Sequence, residues 1–271
     1  MDNSRIMSHH EYLIKYNVQR LMEQNRSDSD YGYIAKVLDI DINETKDIIN
    51  NFSLNVQKIA TEIKNSVQIP INMEQKFNIA FIGDSLTSER ESYFNVIKEL
   101  LSDFSKITFV DASLSGAKIS DVYDSIFLKV IDKEVDIAHV LIGTNDIRRQ
   151  RGLYSKNNIG IIEYKKHLEN ILMMLNEAGI KTIVSTIPPV DNDAIEIVFG
   201  GRNWEYRDED VIKYNIAIRS ITKKCESILN DCWTSAKSKE EIIFYDGIHI
   251  NDMGTKILVK SLLKYLIQIM D

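Results

Sequence analysis

Four short runs rich in isoleucine, valine and phenylalanine constrain this chain more than any other feature: FNIAFIG at 77–83, KITFVDAS at 106–113, IAHVLIG at 137–143 and KTIVSTIPP at 181–189. Each has the length of a strand, and roughly 30 to 40 residues with helical pattern separate the start of one from the next, as parallel βαβ units require. The order reads β-α-β-α-β-α-β. A weaker fifth strand is expected at Ser227 to Trp233 (SILNDCW), and an amphipathic helix from Met253 to Gln268 closes the chain. The expected fold class is α/β with a mostly parallel five-stranded sheet. Open sheets of this kind carry their chemistry at the carboxyl ends of the strands.

Residues 1–72 show no strand pattern and read as a small helical segment ahead of an α/β domain at 77–271. Helices are expected at His10–Gln24, Tyr31–Leu38, Asn43–Phe52 and from about Leu54 to Ser66. The third is introduced by Asp41 with Glu44 three residues on, a capping-box spacing, and the fourth carries Val56, Ile59, Ala60 and Ile63 as one apolar stripe. The stretch YIAKVLDIDINETKDIINNF looks somewhat like a helix-turn-helix, which is also how any small bundle is built. Acidic residues outnumber basic ones across this segment, so the basic face of a DNA reader is missing and a packing or dimerising bundle is the stronger expectation.

Composition narrows the classes further. The formal charge of −7 argues against a protein devoted to the nucleic-acid backbone. Only Cys225 and Cys232 are available for disulfides or thiolate metal sites, and two reduced, packed thiols are expected. The polar start lacks the basic and apolar regions of a secretory leader, and no apolar run reaches the ~18 residues of a membrane span, so the expected location is cytoplasmic.

The strand ends hold four loose signals. The first strand runs into Gly83-Asp84-Ser85-Leu86 ahead of a helical run from about Glu89 to Leu101, which would expose the Ser85 hydroxyl near the positive end of a helix. The same tetrapeptide is also ordinary helix-cap chemistry. The second strand leads to Ser113-Leu114-Ser115-Gly116, where a glycine N–H can donate to an anionic oxygen or simply make a turn. The third ends in Gly143-Thr144-Asn145-Asp146, whose Asn145 amide is either a further donor or a turn residue. Near the end stands Asp246-Gly247-Ile248-His249, a spacing that lets the carboxylate hold one imidazole nitrogen while the other faces a serine. The remaining histidines, His9, His10, His139 and His167, read as structural or solvated, and none has the spacing of a metal site.

Taken in order, Ser85, Gly116, Asn145 and His249 resemble the four blocks of the SGNH (GDSL) hydrolases, over about Phe77 to Asp271. The resemblance implies a three-layer α/β/α, flavodoxin-like fold and a serine esterase that uses no cofactor and no metal. It makes Ser85, Asp246 and His249 the catalytic candidates, with an oxyanion hole from the Ser85 and Gly116 backbone N–H groups and the Asn145 side chain. Members often carry asparagine shortly before the second-block glycine, whereas Asp111, Ala112 and Ser113 stand here, so that loop is expected to differ in shape.

Substrate contacts are less defined. Asp84, Arg148, Phe199 and Trp204 are the candidates; Arg148, Arg149 and Arg151 could meet an anionic group or form a solvated basic turn, and the excursion from Asp191 to Asp210 could wall the cleft or pack back on the domain. A small ester, such as O-acetyl on a carbohydrate, is the expected substrate. A thioesterase or lysophospholipase using the same machinery, and a ligand-sensing or DNA-binding regulator, are the alternatives. The expected partners are the ester itself and, through the amino-terminal helices, a second copy of the chain.

Overall fold

A computed structural model of the protein describes residues 6–22, 29–67, 69, 75–235 and 238–271. Helices α1 (His9–Lys15), α2 (Val18–Met22), α3 (Tyr31–Leu38) and α4 (Ile42–Lys64) come first. Strand β1 (Phe77–Gly83) leads through the single turn α5 (Ser85–Ser88) and helix α6 (Tyr93–Leu100) to β2 (Ile107–Asp111), and α7 (Ile119–Lys129) leads on to β3 (Ile137–Leu141). The turn α8 (Thr144–Ile147), the short β4 (Arg149–Gln150) and α9 (Ile161–Glu177) precede β5 (Lys181–Ser185). Next come α10 (Asn192–Phe199), β6 (Trp204–Glu205), α11 (Asp208–Lys224), β7 (Ile228–Asn230), α12 (Lys239–Ile242) and α13 (Asp252–Met270).

Five strands form one sheet in the order β2-β1-β3-β5-β7, and all four pairings are parallel. Helices α4, α6 and α13 pack together as one layer and α7, α9 and α11 as another, which gives the three layers expected. Covering both faces explains why the strands are apolar without alternation: Ile79, Ala80, Phe81, Ile82, Ile137, Ala138 and Val140 are all buried. The switch in strand order lies between β1 and β3, and their carboxyl ends open the crevice that becomes the site.

The amino-terminal helices depart from the sequence reading in two ways. Where one helix is expected from His10 to Gln24, the chain breaks at Asn17, which takes a left-handed φ of 51° and donates its amide to the Ser88 carbonyl at 2.5 Å. The last expected positions, Glu23 and Gln24, lie outside the described residues. Where two helices are expected between Asn43 and Ser66, α4 is continuous, because the Ser53 hydroxyl satisfies itself on the Ile49 carbonyl at 3.1 Å within the helix. Asp41 caps α4 by accepting the Asn43 and Glu44 N–H groups at 2.7 and 3.3 Å.

The apolar stripe of α4 has a partner. Val56, Ile59, Ala60 and Ile63 merge into the core of the sheet domain, while Ile14, Ile34, Ile48, Ile49 and Phe52 form a small core of their own. Burying each larger aliphatic side chain contributes roughly 1.5–3 kcal/mol. The helical segment and the sheet domain therefore share one core through α4. No described helix is long and apolar enough to cross a membrane.

Candidate active site

At the end of β1 the chain turns sharply, and Ser85 opens α5 partly exposed. Asp84 makes that turn: its Oδ1 accepts the Leu86 N–H at 3.0 Å, and its side chain is fully buried. This corrects the expectation for Asp84, which does not line the pocket; capping its own turn points the carboxylate inward, and burial lifts its pKa to about 7. The helix expected from Glu89 begins at Tyr93, where the Ser92 hydroxyl accepts the Asn95 N–H at 3.3 Å.

On the last loop Gly247 sits between the carboxylate and imidazole residues with φ of 78°. A Cβ there would lie 2.3 Å from the Asp191 carbonyl oxygen, so the turn requires glycine on both conformational and spatial grounds. Asp246 Oδ1 accepts the Ile248 and His249 N–H groups, each at 3.0 Å, and Oδ2 meets His249 Nδ1 at 2.6 Å. His249 Nε2 lies 2.8 Å from Ser85 Oγ. With Nδ1–H donating to the carboxylate, Nε2 is left as the acceptor for the serine proton.

Electrostatics follows from this geometry. Burial alone would raise the pKa of Asp246, but His249 and the two backbone N–H groups hold it below the usual carboxylate value. Burial would likewise depress His249, yet Asp246, helped by Glu89 and Asp84, lifts its pKa above that of a free imidazole. The pair is thus arranged to take up a proton on the imidazole while the aspartate stays ionised.

Gly116 and Asn145 face the same pocket as Ser85 and His249. Gly116 has φ of 80°, and among the described residues neither its N–H nor that of Ser85 donates to a backbone carbonyl. Asn145 spends one amide proton on the Ala117 carbonyl at 3.1 Å, which fixes the side chain and leaves its second proton for another acceptor. The neighbouring Asp146, buried with its pKa raised to about 7 mainly by burial, accepts the Ile119 N–H at 3.0 Å and so ties the second loop to the third. In the second loop Asp111 accepts both the N–H and the hydroxyl of Ser113 and pairs with Arg20 at 2.8 Å. That is how the loop without the usual asparagine is held.

The amino-terminal helices supply what the motifs did not announce. Tyr12 and Tyr16 donate their hydroxyls to Asp246 Oδ2 at 3.1 and 3.5 Å, and the Tyr16 ring lies 4.1 Å, centroid to centroid, from the His249 ring. Burial and the adjacent carboxylate push both phenols far above their ordinary pKa, so they remain neutral donors. Helix α1 is anchored beside Ser85 by the buried Lys15, which reaches Glu91 at 2.6 Å and Glu89 at 3.2 Å, and by Ser115, which donates to the Tyr16 carbonyl at 2.8 Å. The only trace of this in the sequence is the i,i+4 spacing of Tyr12 and Tyr16, which puts both on one helix face.

The far wall comes from the excursion after β5. Pairing of β4 with β6 sets Arg148 over Trp204, with 4.3 Å from guanidinium carbon to ring centroid, and Phe199 lies 5.2 Å from Trp204. Arg148, Phe199 and Trp204 all line a pocket of about 200 Å³ that ends on Ser85 and His249. Arg149 and Arg151 do not face it: Arg149 binds Asp210 through two nitrogens at 2.6 and 2.9 Å, and Arg151 pairs with Glu196. His139 is a core residue, hydrogen-bonded to Tyr93 at 3.0 Å and Ser185 at 2.7 Å, its pKa driven by burial to about 3. Cys225 and Cys232 are both buried.

This fold and site define a class, and comparison with known proteins agrees on it. The chain belongs to the GDSL-like Lipase/Acylhydrolase family, whose model matches residues 81–257. It is thereby a carboxylic ester hydrolase of the GDSL/SGNH type. Among solved structures it is similar to the lipase/acylhydrolase from Enterococcus faecalis, at 16% identity and a TM-score of 0.58 over 71% of this chain and 96% of that one. It is also similar to the acetyl xylan esterase AlAXEase, at 20% identity and 0.57 over 70% and 100%, and to Axe2, an acetylxylan esterase from Geobacillus stearothermophilus, at 17% and 0.55 over 71% and 95%. No curated protein matches the chain.

Proposed function

We propose that the protein is a serine hydrolase that cleaves a small ester, an O-acetyl group on a carbohydrate being the favoured case, through an acyl-enzyme on Ser85. The observation that carries this reading is the continuous contact from Ser85 Oγ to His249 Nε2 at 2.8 Å and from His249 Nδ1 to Asp246 at 2.6 Å, at the floor of a pocket. His249 removes the Ser85 proton as Oγ attacks the ester carbonyl carbon, and the resulting oxyanion takes the Ser85 and Gly116 N–H groups and the Asn145 amide. The proton on His249 passes to the departing alcohol. Water, deprotonated by the same imidazole, then releases the carboxylic acid and restores Ser85.

A pocket of about 200 Å³ suits a short acyl group with one ring or sugar unit beyond it. Two of the similar structures are described as acetyl xylan esterases, which supports the acetyl choice. Labelling with a fluorophosphonate, followed by a panel of 4-nitrophenyl acetate, acetylated sugars, acyl-CoA and lysolipid, tests the reading. Ser85 should carry the label, and Ser85→Ala should lose at least about 10⁴-fold in kcat on an acetyl ester while melting like the parent. A Ser85→Ala protein with parental rates would remove Ser85 from the reaction.

A further inference from the structure

The arginines of this acidic protein divide sharply. Arg20, Arg149, Arg151, Arg207 and Arg219 each sit on a carboxylate, and Arg90 donates to the Ile14 carbonyl. Arg148 and Arg202 alone among the described arginines have no hydrogen-bond acceptor or carboxylate partner among the described residues; they meet only the rings of Trp204 and Phe199. Their guanidinium carbons lie 4.3 and 5.2 Å from the centroid of the same Trp204 ring, which brings the two charges within one substrate's reach of each other. The Arg148 Nε is buried without a partner. Both arginines line the pocket that ends on Ser85 and His249, and no described aspartate or glutamate does.

Two cations drawn to one ring, with no counter-ion, in a chain of net charge −7 with carboxylates to spare, repel each other until an anion arrives. A guanidinium that meets an indole ring and no acceptor keeps N–H groups available, and its fork can bind carboxylate or phosphate oxygens in pairs. We propose that the ester's alcohol portion carries an anionic oxygen group, a carboxylate or a phosphate, which Arg148 and Arg202 bind against Trp204 while the acyl carbon reaches Ser85. This inference rests on the esterase reading. The anion is assigned to the alcohol portion because the acyl group is small.

The test compares isosteric acetyl esters, 4-acetoxybenzoate against 4-acetoxybenzamide, with 4-acetoxyphenyl phosphate as a second anion, in the full-length protein. The parent should favour at least one anionic ester over the amide by about tenfold or more in kcat/KM, mainly through KM. Which anion gains more tells carboxylate from phosphate. Arg148→Gln and Arg202→Gln should each pull that ratio towards one, while Arg219→Gln, whose arginine is paired with Asp231 away from the pocket, should keep it. Should Arg148→Gln fail to fold, the exposed Arg202 still reports. Calorimetry on the Ser85→Ala protein, with 4-hydroxybenzoate and phenyl phosphate against 4-hydroxybenzamide, reads the anion site without turnover. A parental ratio near one with equal binding of charged and neutral ligands, or a ratio that survives both arginine substitutions, overturns the inference. Failure to hydrolyse 4-nitrophenyl acetate would strike the esterase reading instead, and the calorimetry would then decide the anion site by itself.

Discussion

The floor of the pocket and its walls are built on different principles. Ser85, Gly116 and Asn145 stand on or beside turns at strand ends, and Asp246 and His249 on the loop between α12 and α13, held by short-range hydrogen bonds such as Leu86 N–H to Asp84, Asn145 to the Ala117 carbonyl and His249 N–H to Asp246. The walls join parts far apart in the sequence: Tyr12 and Tyr16 reach Asp246 across more than two hundred residues, and Arg148 meets Trp204 only because β4 pairs with β6. Local turns place the groups of the proposed reaction, and long-range packing sets the walls around them and how firmly they are held. Behind the wall formed by α1, Lys15 is buried and reaches Glu89 and Glu91 where the helix meets the Ser85 turn.

The heaviest loss is expected at the floor. His249→Ala should reduce kcat on an acetyl ester by about 10⁴-fold or more, measured by initial rates, because His249 Nε2 is the one hydrogen-bond partner that Ser85 Oγ has among the described residues. If the loss were only tenfold, the reactivity would not lie in these loops. Next in size comes the anchor of the wall. Lys15→Met strands Glu89, which is 1% exposed, and should destabilise the fold by about 3–5 kcal/mol, seen as a melting point lower by roughly 10 °C. The loss should grow with pH, since the stranded carboxyl is neutral in acid and charged above its raised pKa.

What the sequence made legible follows the same division. The five strands and their parallel pairing could be read because strand-length apolar runs are local patterns, and the candidates Ser85, Asp246 and His249, which the structure brings into contact, were marked by short turn motifs. Arg149 and Arg151 looked equivalent to Arg148, and only the fold shows their carboxylates, Asp210 and Glu196, arriving from α11 and α10. Asp84 carried the same ambiguity, since a carboxylate beside a nucleophile can face substrate or cap its own turn, and here it caps. Tyr12 and Tyr16 gave no signal of their destination because their partner lies at the other end of the chain. The break at Asn17 was hidden for a related reason: the amide contact that pays for its left-handed φ is made with Ser88.

A smaller effect belongs to the oxyanion donors. Asn145→Ala should lower kcat by about a hundredfold with KM little changed, as removal of a donor that acts mainly on the transition state does. Because the side chain also bonds the Ala117 carbonyl, Asn145→Asp serves as a second probe: it replaces the donor by a charge that repels an oxyanion, and should be at least as damaging. Parental turnover in both variants would assign the oxyanion to the backbone alone.

The smallest effect is the most informative about the walls. A neutral His249 is required to accept the Ser85 proton, so activity falls as pH drops through the imidazole pKa, and the raised value puts that acid limb above about 6.5. The Tyr12 and Tyr16 hydroxyls draw on the same Asp246 oxygen that bonds His249. Replacing either by phenylalanine leaves the carboxylate's charge less shared and its hold on the imidazolium stronger. The His249 pKa should therefore rise and the acid limb of kcat/KM move to higher pH, by less than about one unit, with the double substitution moving it furthest. Altered packing alone would lower the plateau without displacing the limb. An unmoved limb in the double variant would mean that α1 shapes the pocket and leaves the Asp246–His249 pair electrostatically untouched.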